Sequence, residues 1–462
     1  MSLRFGTDGV RGLANANLTP EFVTALGRAA ARTLFTDTAD RVCAIGRDTR
    51  RSGPMLTAAL ASGLCAEGVD VVDLGVVPTP AVAYWAATHG SPGAVISASH
   101  NPYPDNGVKF FAVGGRKLTD ASQEAIEAAL EALLARSVGD VDADPVTGAA
   151  IGSVSDDTTG REAYVRRLVD GVLDGRRLDG LRVVADAANG AASTVVADVL
   201  VGLGATVTVR HANPNGTNIN DGCGSTHPGD LATAVVAQRA QVGLALDGDA
   251  DRLVAVDETG AVVDGDALLA LFALDLADRG RLTGNAIVAT VMSNLGLRRA
   301  LGESGIDVVE CAVGDRAVLA TLEDRGLVLG GEQSGHLIFT DLATTGDGLL
   351  AGVLLMDVLA RTGRPLSELA SVVDPLPQVL RNVRLAAKVP DLVDQMADDI
   401  AAAEAKLGDQ GRVLVRLSGT EPLARVLVEA TDAALADDVA ALLVTAAERV
   451  AAEVSSTVGG SL

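Results

Sequence analysis

Short runs rich in Val, Ile and Ala alternate with longer Ala/Leu-rich stretches through the first three quarters of the chain. The short Val/Ile-rich runs at 42–46, 69–74, 94–98, 181–186, 205–210, 242–247, 286–291 and 306–311 read as strands. Between them, 54–67, 191–203 and 266–279 carry helical periodicity, and Gly280 stops the last of these. Strands and helices in alternation predict α/β units. In open α/β sheets ligands gather beyond the carboxyl ends of strands, and three polar motifs stand directly after predicted strands.

The polar stretch 138–160 has no apolar period and reads as a linker. A turn at Asp257-Glu258-Thr259-Gly260 and the prolines of Asp374-Pro375-Leu376-Pro377 mark two further boundaries. The expected domains are therefore 1–150, 151–257, 258–373 and 374–462. The first three read as α/β with mixed sheets. The fourth is smaller and α+β, with a strand, a helix, paired strands and a final helix. The small polar residues from 455 onward are expected to fray.

A chain of 462 residues is too long for one core, which agrees with this division. Its net charge of −23 argues against nucleic acid or an anionic membrane as partner, because both need basic patches. Charged residues break every apolar stretch before the roughly 20 residues that a membrane helix requires. The first residues run into a glycine-rich motif with no signal region, so a cytoplasmic location is expected. The four cysteines, at 43, 65, 223 and 311, lack the close spacing of a zinc site or disulfide framework. Lysine occurs only at 109, 117, 388 and 406, which makes Lys109 inside a motif informative.

The run 94–98 leads into Ser99-His100-Asn101-Pro102 and then Asp105-Asn106-Gly107-Val108-Lys109. A serine at a strand end beside a histidine and a lysine can act as a nucleophile or phosphate carrier, since a hydroxyl needs a base or electrophile nearby. An Asn-Pro turn capped by Ser99 is the plainer alternative. The run 242–246 leads into Asp247-Gly248-Asp249-Ala250-Asp251-Arg252. Carboxylates at alternate positions share a face in an extended segment, so three oxygens can converge on one hard cation. Unfilled, they would repel one another, and a solvated acidic turn is the rival.

Gly330-Gly331-Glu332-Gln333-Ser334-Gly335-His336 offers a carboxylate, a hydroxyl and an imidazole in one loop, groups suited to vicinal sugar hydroxyls or simply to an ordinary polar loop. Arg416-Leu417-Ser418-Gly419-Thr420-Glu421-Pro422, followed by Arg425, can wrap a phosphate through backbone N–H groups and guanidiniums, or form a hairpin turn. Arg4-Phe5-Gly6-Thr7-Asp8-Gly9-Val10-Arg11-Gly12 adds a tight glycine-rich segment flanked by arginines.

Taken in this order, residues 97–102, 247–252, 331–336 and 418–422 resemble the four signature loops of the α-D-phosphohexomutase superfamily, one per domain. The resemblance implies three α/β domains of one topology and a smaller fourth around a central cleft. It implies phosphorylation of Ser99, with Ser97 as a spare. Ser99, Asp247, Asp249 and Asp251 would hold one Mg²⁺. Lys109 and His336 would be acid/base groups, with Arg11 and His100 beside the phosphoserine. Glu332, Ser334, Asp315 and Arg252 would bind substrate, and Arg416, Ser418, Gly419, Thr420 and Arg425 would clamp its phosphate. The segment 5–12, Gln333, Gly314-Asp315-Arg316 and Gly419-Thr420-Glu421 resemble the glucosamine branch. Interconversion of glucosamine 6-phosphate and glucosamine 1-phosphate through glucosamine 1,6-bisphosphate is the expected reaction, supplying amino sugar for cell-wall synthesis. Sugar phosphates are the expected partners, and a homodimer is an allowed assembly. Phosphomannomutase/phosphoglucomutase activity, or sugar-phosphate binding without catalysis, are the alternatives.

Overall fold

The computed structural model describes residues 3–6, 9–35, 41–135, 145–385, 389–417 and 422–459, with side chains to residue 452. The chain forms two compact units, Met1–Met292 with Gly305–Val372, and Ser293–Ser304 with Val373–Leu462.

Among the described residues, three sheets lie in the first unit, and they repeat one plan. In the first, strands Val42–Arg47, Asp70–Val76 and Gly93–Ile96 are parallel, with Val42–Arg47 in the middle, and Asp105–Ala112 runs antiparallel beside Gly93–Ile96. In the second, Arg182–Asp186 lies between Thr206–Arg210 and Val242–Leu246, and Leu253–Asp257 turns back antiparallel. In the third, Ala286–Thr290 lies between Asp307–Cys311 and Leu329–Gly331, with Leu337–Phe339 antiparallel. The expected common topology is therefore present. Every residue of Gly93–Ile96, Val242–Leu246 and Ala286–Thr290 is buried, which explains why Thr290 is their one polar residue.

The repeat also positions the motifs. Residues 97–104, 247–252 and 332–336 each connect the third strand of a sheet to its antiparallel fourth, so the three polar loops leave equivalent strand ends. Residues 154–156 differ from expectation. Strand Val154–Asp156 adds an edge to the first sheet, past the boundary expected at 150. All three of its residues are exposed, so no apolar alternation announced it. The predicted helix 191–203 is a 3₁₀ turn, Ala191–Thr194, followed by helix Val196–Gly202.

In the second unit, strand Leu423–Ala430 lies between Gln378–Arg384 and Gly411–Leu417, antiparallel to both. Val383, Val415, Val426 and Val428 bury one sheet face against Leu407, Val439 and Leu443. The last helix, Ala433–Gly459, extends into the stretch expected to fray. Among the described residues no helix is long and apolar enough to cross a membrane.

Candidate active site

Strand Gly93–Ile96 delivers the serine loop into the interior, where Ser99 is 1% exposed. Its φ of 51° lies in the left-handed region that few non-glycine residues adopt without external support. That support is visible. The Ser99 N–H donates to Ser97 Oγ at 2.9 Å, and Ser97 Oγ donates to Asp48 Oδ2 at 2.6 Å. Ser97 is therefore part of the loop's scaffold and not a spare hydroxyl. The Arg50 guanidinium, also buried, binds Asp48 and the carbonyls of Ser99, Asn101, Pro102 and Asp105. Asn220 of the second sheet's domain donates to the Ser99 and Asn101 carbonyls at 2.9 and 3.1 Å. Arg50 and Asn220 escaped sequence reasoning, although the polar run Asp48-Thr49-Arg50 directly after a predicted strand was a usable signal.

Held in this way, Ser99 Oγ donates to Asp247 Oδ2 at 2.5 Å. Asp247, Asp249 and Asp251 are all buried, and one oxygen of each lies within 4.8 Å of the others. Lys109 Nζ donates to Asp249 at 3.0 Å and to Asp251 at 3.2 Å. Thr79 Oγ1 donates to Asp249 Oδ2 at 2.7 Å. Asp249 Oδ1 and Asp251 Oδ1 have no hydrogen-bond partner among the described residues. Burial, then the charges of Asp251 and Asp249, push the Asp247 carboxyl well above the usual carboxylate range. For Asp249 and Asp251, burial is the largest influence and acts in the same direction, but Lys109 together with Thr79 at Asp249, and Lys109 together with His336 and Arg252 at Asp251, hold both low. Hard oxygen donors converge here, two of them without a partner among the described residues, and these residues fit a divalent cation.

His336 closes another side. Its Nδ1 lies 3.7 Å from Asp251 Oδ1 and its Nε2 lies 4.0 Å from Asp315 Oδ2. Burial opposes the imidazolium, but these two carboxylates raise the His336 pKa above its ordinary value. Asp315 is itself buried and is bound by Lys117, which holds its carboxyl low despite burial. His100 Nδ1 is 3.5 Å from Ser99 Oγ, and burial, followed by Arg252 and Arg11, lowers its pKa. Arg252 sits over the triad, its N–H donating to Asp247 Oδ1 at 3.2 Å and its Nε 3.8 Å from Asp251. Arg11 enters from strand Val10–Leu13, opposite Gly107 in the register.

The loop that ends in His336 presents Glu332 and Ser334, with Ser334 exposed and its Oγ donating to Glu332 Oε2 at 3.4 Å. The other Glu332 oxygen accepts the Gly314 N–H at 3.0 Å. Gln333 donates to Asp264 at 3.3 Å. In the second unit, Arg416 and Arg425 occupy directly opposed positions on adjacent strands. Like charges so placed repel, and burial with Arg425 lowers the Arg416 pKa. Arg425 Nε is buried with no acceptor among the described residues. An anion placed between them would relieve this repulsion. Ser418, Gly419 and Thr420 lie outside the described residues.

Asp186, His211 and Cys223 form a second group of ligand-type atoms. Here both Asp186 oxygens accept backbone N–H groups, from Ala188 at 2.8 Å and Gly224 at 2.9 Å, and one also meets His211 at 3.0 Å. This group clasps turns together.

Four family descriptions match the chain in order. Residues 2–136, 162–260 and 264–376 match the alpha/beta/alpha domains I, II and III of phosphoglucomutase/phosphomannomutase, and 380–446 match its C-terminal domain. A phosphoglucosamine mutase of Salinispora tropica is 52% identical over 95% of this chain and 97% of its own length. One of Desulforudis audaxviator is 50% identical over 94% and 95%. A Burkholderia thailandensis phosphoglucomutase/phosphomannomutase family protein superposes with a TM-score of 0.79 at 27% identity, covering 95% of this chain and 96% of that one. The fold also matches Aspergillus fumigatus N-acetylphosphoglucosamine mutase in complex with GlcNAc-6P and magnesium, at 18% identity, a TM-score of 0.65, and 98% and 96% coverage. With its domains matched in sequence, its three sheets built on one plan and its polar loops at equivalent strand ends, this chain belongs to the phosphoglucomutase/phosphomannomutase family.

Proposed function

We propose that the chain interconverts glucosamine 6-phosphate and glucosamine 1-phosphate, the activity that names its relatives from S. tropica and D. audaxviator, with Ser99 as the phosphoryl carrier. The contact between Ser99 Oγ and Asp247, inside a buried carboxylate triad, carries this reading. Asp247, Asp249 and Asp251 would hold Mg²⁺, which neutralises charge on a phosphoryl group when bound.

In the first transfer the P–O bond to Ser99 breaks as one forms to the sugar's 1- or 6-hydroxyl, giving glucosamine 1,6-bisphosphate. The hydroxyl proton leaves to a basic group and the serine oxygen must be reprotonated. The same chemistry in reverse, at the other end of the turned sugar, returns a phosphoryl group to Ser99. Phosphoryl transfer depends mainly on positioning and charge stabilisation, and the chain's cations stand where both are needed. His336, biased toward its protonated form by Asp251 and Asp315, suits proton donation. Lys109 and Arg252 place positive charge on the same face as the aspartates, and Arg11 and His100 flank the serine. Glu332 and Ser334 offer acceptors and a donor for ring hydroxyls, and Arg416 and Arg425 a bidentate site for a phosphate.

The structural match to the B. thailandensis protein favours a second sugar, glucose or mannose, on the same chemistry. A coupled assay separates them. Glucosamine 6-phosphate should be preferred in kcat/KM by about ten- to a hundred-fold, the amount one polar contact at carbon 2 supports. Equal or better turnover of mannose 6-phosphate would replace the sugar and leave the mechanism. No phosphate migration on any of the three would overturn the enzyme reading.

A further inference from the structure

We infer that Arg50 is a positioning residue for the Ser99 phosphoryl carrier, acting with Ser97 and Asp48 as one device that fixes the serine's backbone. The inference rests on the mutase reading for its kinetic consequence. A guanidinium has five N–H donors in a rigid fork, and here each has an acceptor. Nε binds Asp48 Oδ2 at 2.9 Å, one terminal nitrogen binds the Ser99 and Asn101 carbonyls at 2.9 and 2.8 Å, and the other binds the Asp105 carbonyl at 3.0 Å and that of Pro102. Three backbone carbonyls of one loop and that of the first residue of the following strand thus point at one cation.

That loop is the one in which Ser99 adopts a φ of 51°. The conformation costs free energy that a free loop would release by rotating into a commoner region, carrying Oγ away from Asp247. Arg50 opposes the rotation from the carbonyl side, while Ser97 opposes it from the amide side by accepting the Ser99 N–H at 2.9 Å. Asp48 joins the two halves, binding Arg50 through Oδ2 and accepting the Ser97 hydroxyl on the same oxygen at 2.6 Å. Its second oxygen accepts the Arg50 N–H at 2.9 Å, so the carboxylate cannot swing. Neither Arg50 nor Ser97 touches the triad in these contacts; both act through the placement of Ser99. Lysine cannot replace the fork, since an ammonium has three donors and no plane.

The test uses the full-length enzyme with Ser99 phosphorylated, comparing wild type, Arg50→Lys and Ser97→Ala by steady-state kinetics, thermal melting and the ³¹P resonance of the phosphoserine. Both variants should lose about 10- to 100-fold in kcat, the cost of misplacing a reacting group by about 1 Å, with KM for glucosamine 6-phosphate changed less than about threefold. The ³¹P resonance should move or broaden in both. A fall in melting temperature with kcat per folded molecule and the ³¹P signal unchanged would overturn the inference. If Arg50→Lys does not fold, Ser97→Ala decides alone by the same criteria. Wild-type protein without turnover would sink the mutase reading, and the ³¹P comparison would still decide the positioning role.

Discussion

The Ser99 hydroxyl meets the Asp247 carboxylate at 2.5 Å although 148 positions separate the two residues. Each stands on the loop between the third strand and the antiparallel fourth strand of its own sheet, so the contact joins equivalent points of two repeats. The fit is close, since a Cβ on Gly248 would come within 2.5 Å of the Ser99 carbonyl. Ser99→Ala should therefore abolish mutase turnover while the circular dichroism spectrum and melting temperature stay near wild type, because the hydroxyl's one strong contact is to the triad. Turnover above a few per cent of wild type would remove Ser99 from the carrier role.

Asp249 has one oxygen tied to Thr79 and Lys109 and the other without a partner among the described residues. Asp249→Asn keeps the shape but removes a ligand charge, and it should weaken Mg²⁺ binding and slow transfer together, each by at least about tenfold. Calorimetric titration with Mg²⁺ and the turnover assay measure the pair of effects. Activity unaltered by EDTA in the wild-type enzyme would contradict the metal assignment.

Gly346 packs against the His336 ring, and a Cβ there would fall 2.4 to 2.7 Å from three ring atoms. Its value is not a special backbone angle but space. Gly346→Ala should push the imidazole from its place between Asp251 and Asp315, lowering kcat more than it lowers stability. The histidine's NMR titration should then move back toward its ordinary value, since the two carboxylates raise it now. An unshifted titration with normal kcat would show that the ring is not held by this wall.

Asp347 gives a pH prediction away from the triad. It caps helix Gly348–Thr362 by accepting the Leu350 N–H at 2.9 Å, and it accepts the Tyr164 hydroxyl at 2.9 Å. Burial raises its pKa from the ordinary 3.8 to about 6. The folded state therefore keeps this proton to higher pH than the unfolded state does, and the resulting stabilisation is complete below about pH 4 and lost as the pH rises through about 6. The shift corresponds to roughly 3 kcal/mol as an upper bound. Asp347→Asn retains a cap acceptor but cannot ionise, so the stability difference between variant and wild type should widen in the variant's favour from pH 4.5 to 7.5. Parallel stability profiles in denaturant titrations would refute it.

Much of this site was legible before the fold was known. Val242–Leu246 and Gly93–Ile96 are apolar throughout because they are covered on both faces, and the chemistry follows each directly along the chain. What escaped was non-local or uniform in composition. Nothing near Arg50 in sequence reveals that its acceptors are carbonyls about fifty residues on. Ser97 looks redundant beside Ser99 until their hydrogen bond is seen. Strand Val154–Asp156 has no buried face to leave a period. Asp315, expected among the substrate-binding residues, is buried, bound by Lys117 and 4.0 Å from His336 Nε2, neighbours that nothing around it in sequence announces.

The central claim is that Ser99 carries a phosphoryl group to a sugar and not to water. The most direct measurement loads the enzyme with ³²P on Ser99, adds glucosamine 6-phosphate in a single turnover with Mg²⁺, and follows the label. It should leave the protein for glucosamine 1,6-bisphosphate and then appear in monophosphate, with little inorganic phosphate, if Lys109 and Arg252, which stand against the aspartates, hold the group within the site as proposed. Label that stays on the protein, or that leaves chiefly as inorganic phosphate, would contradict the account.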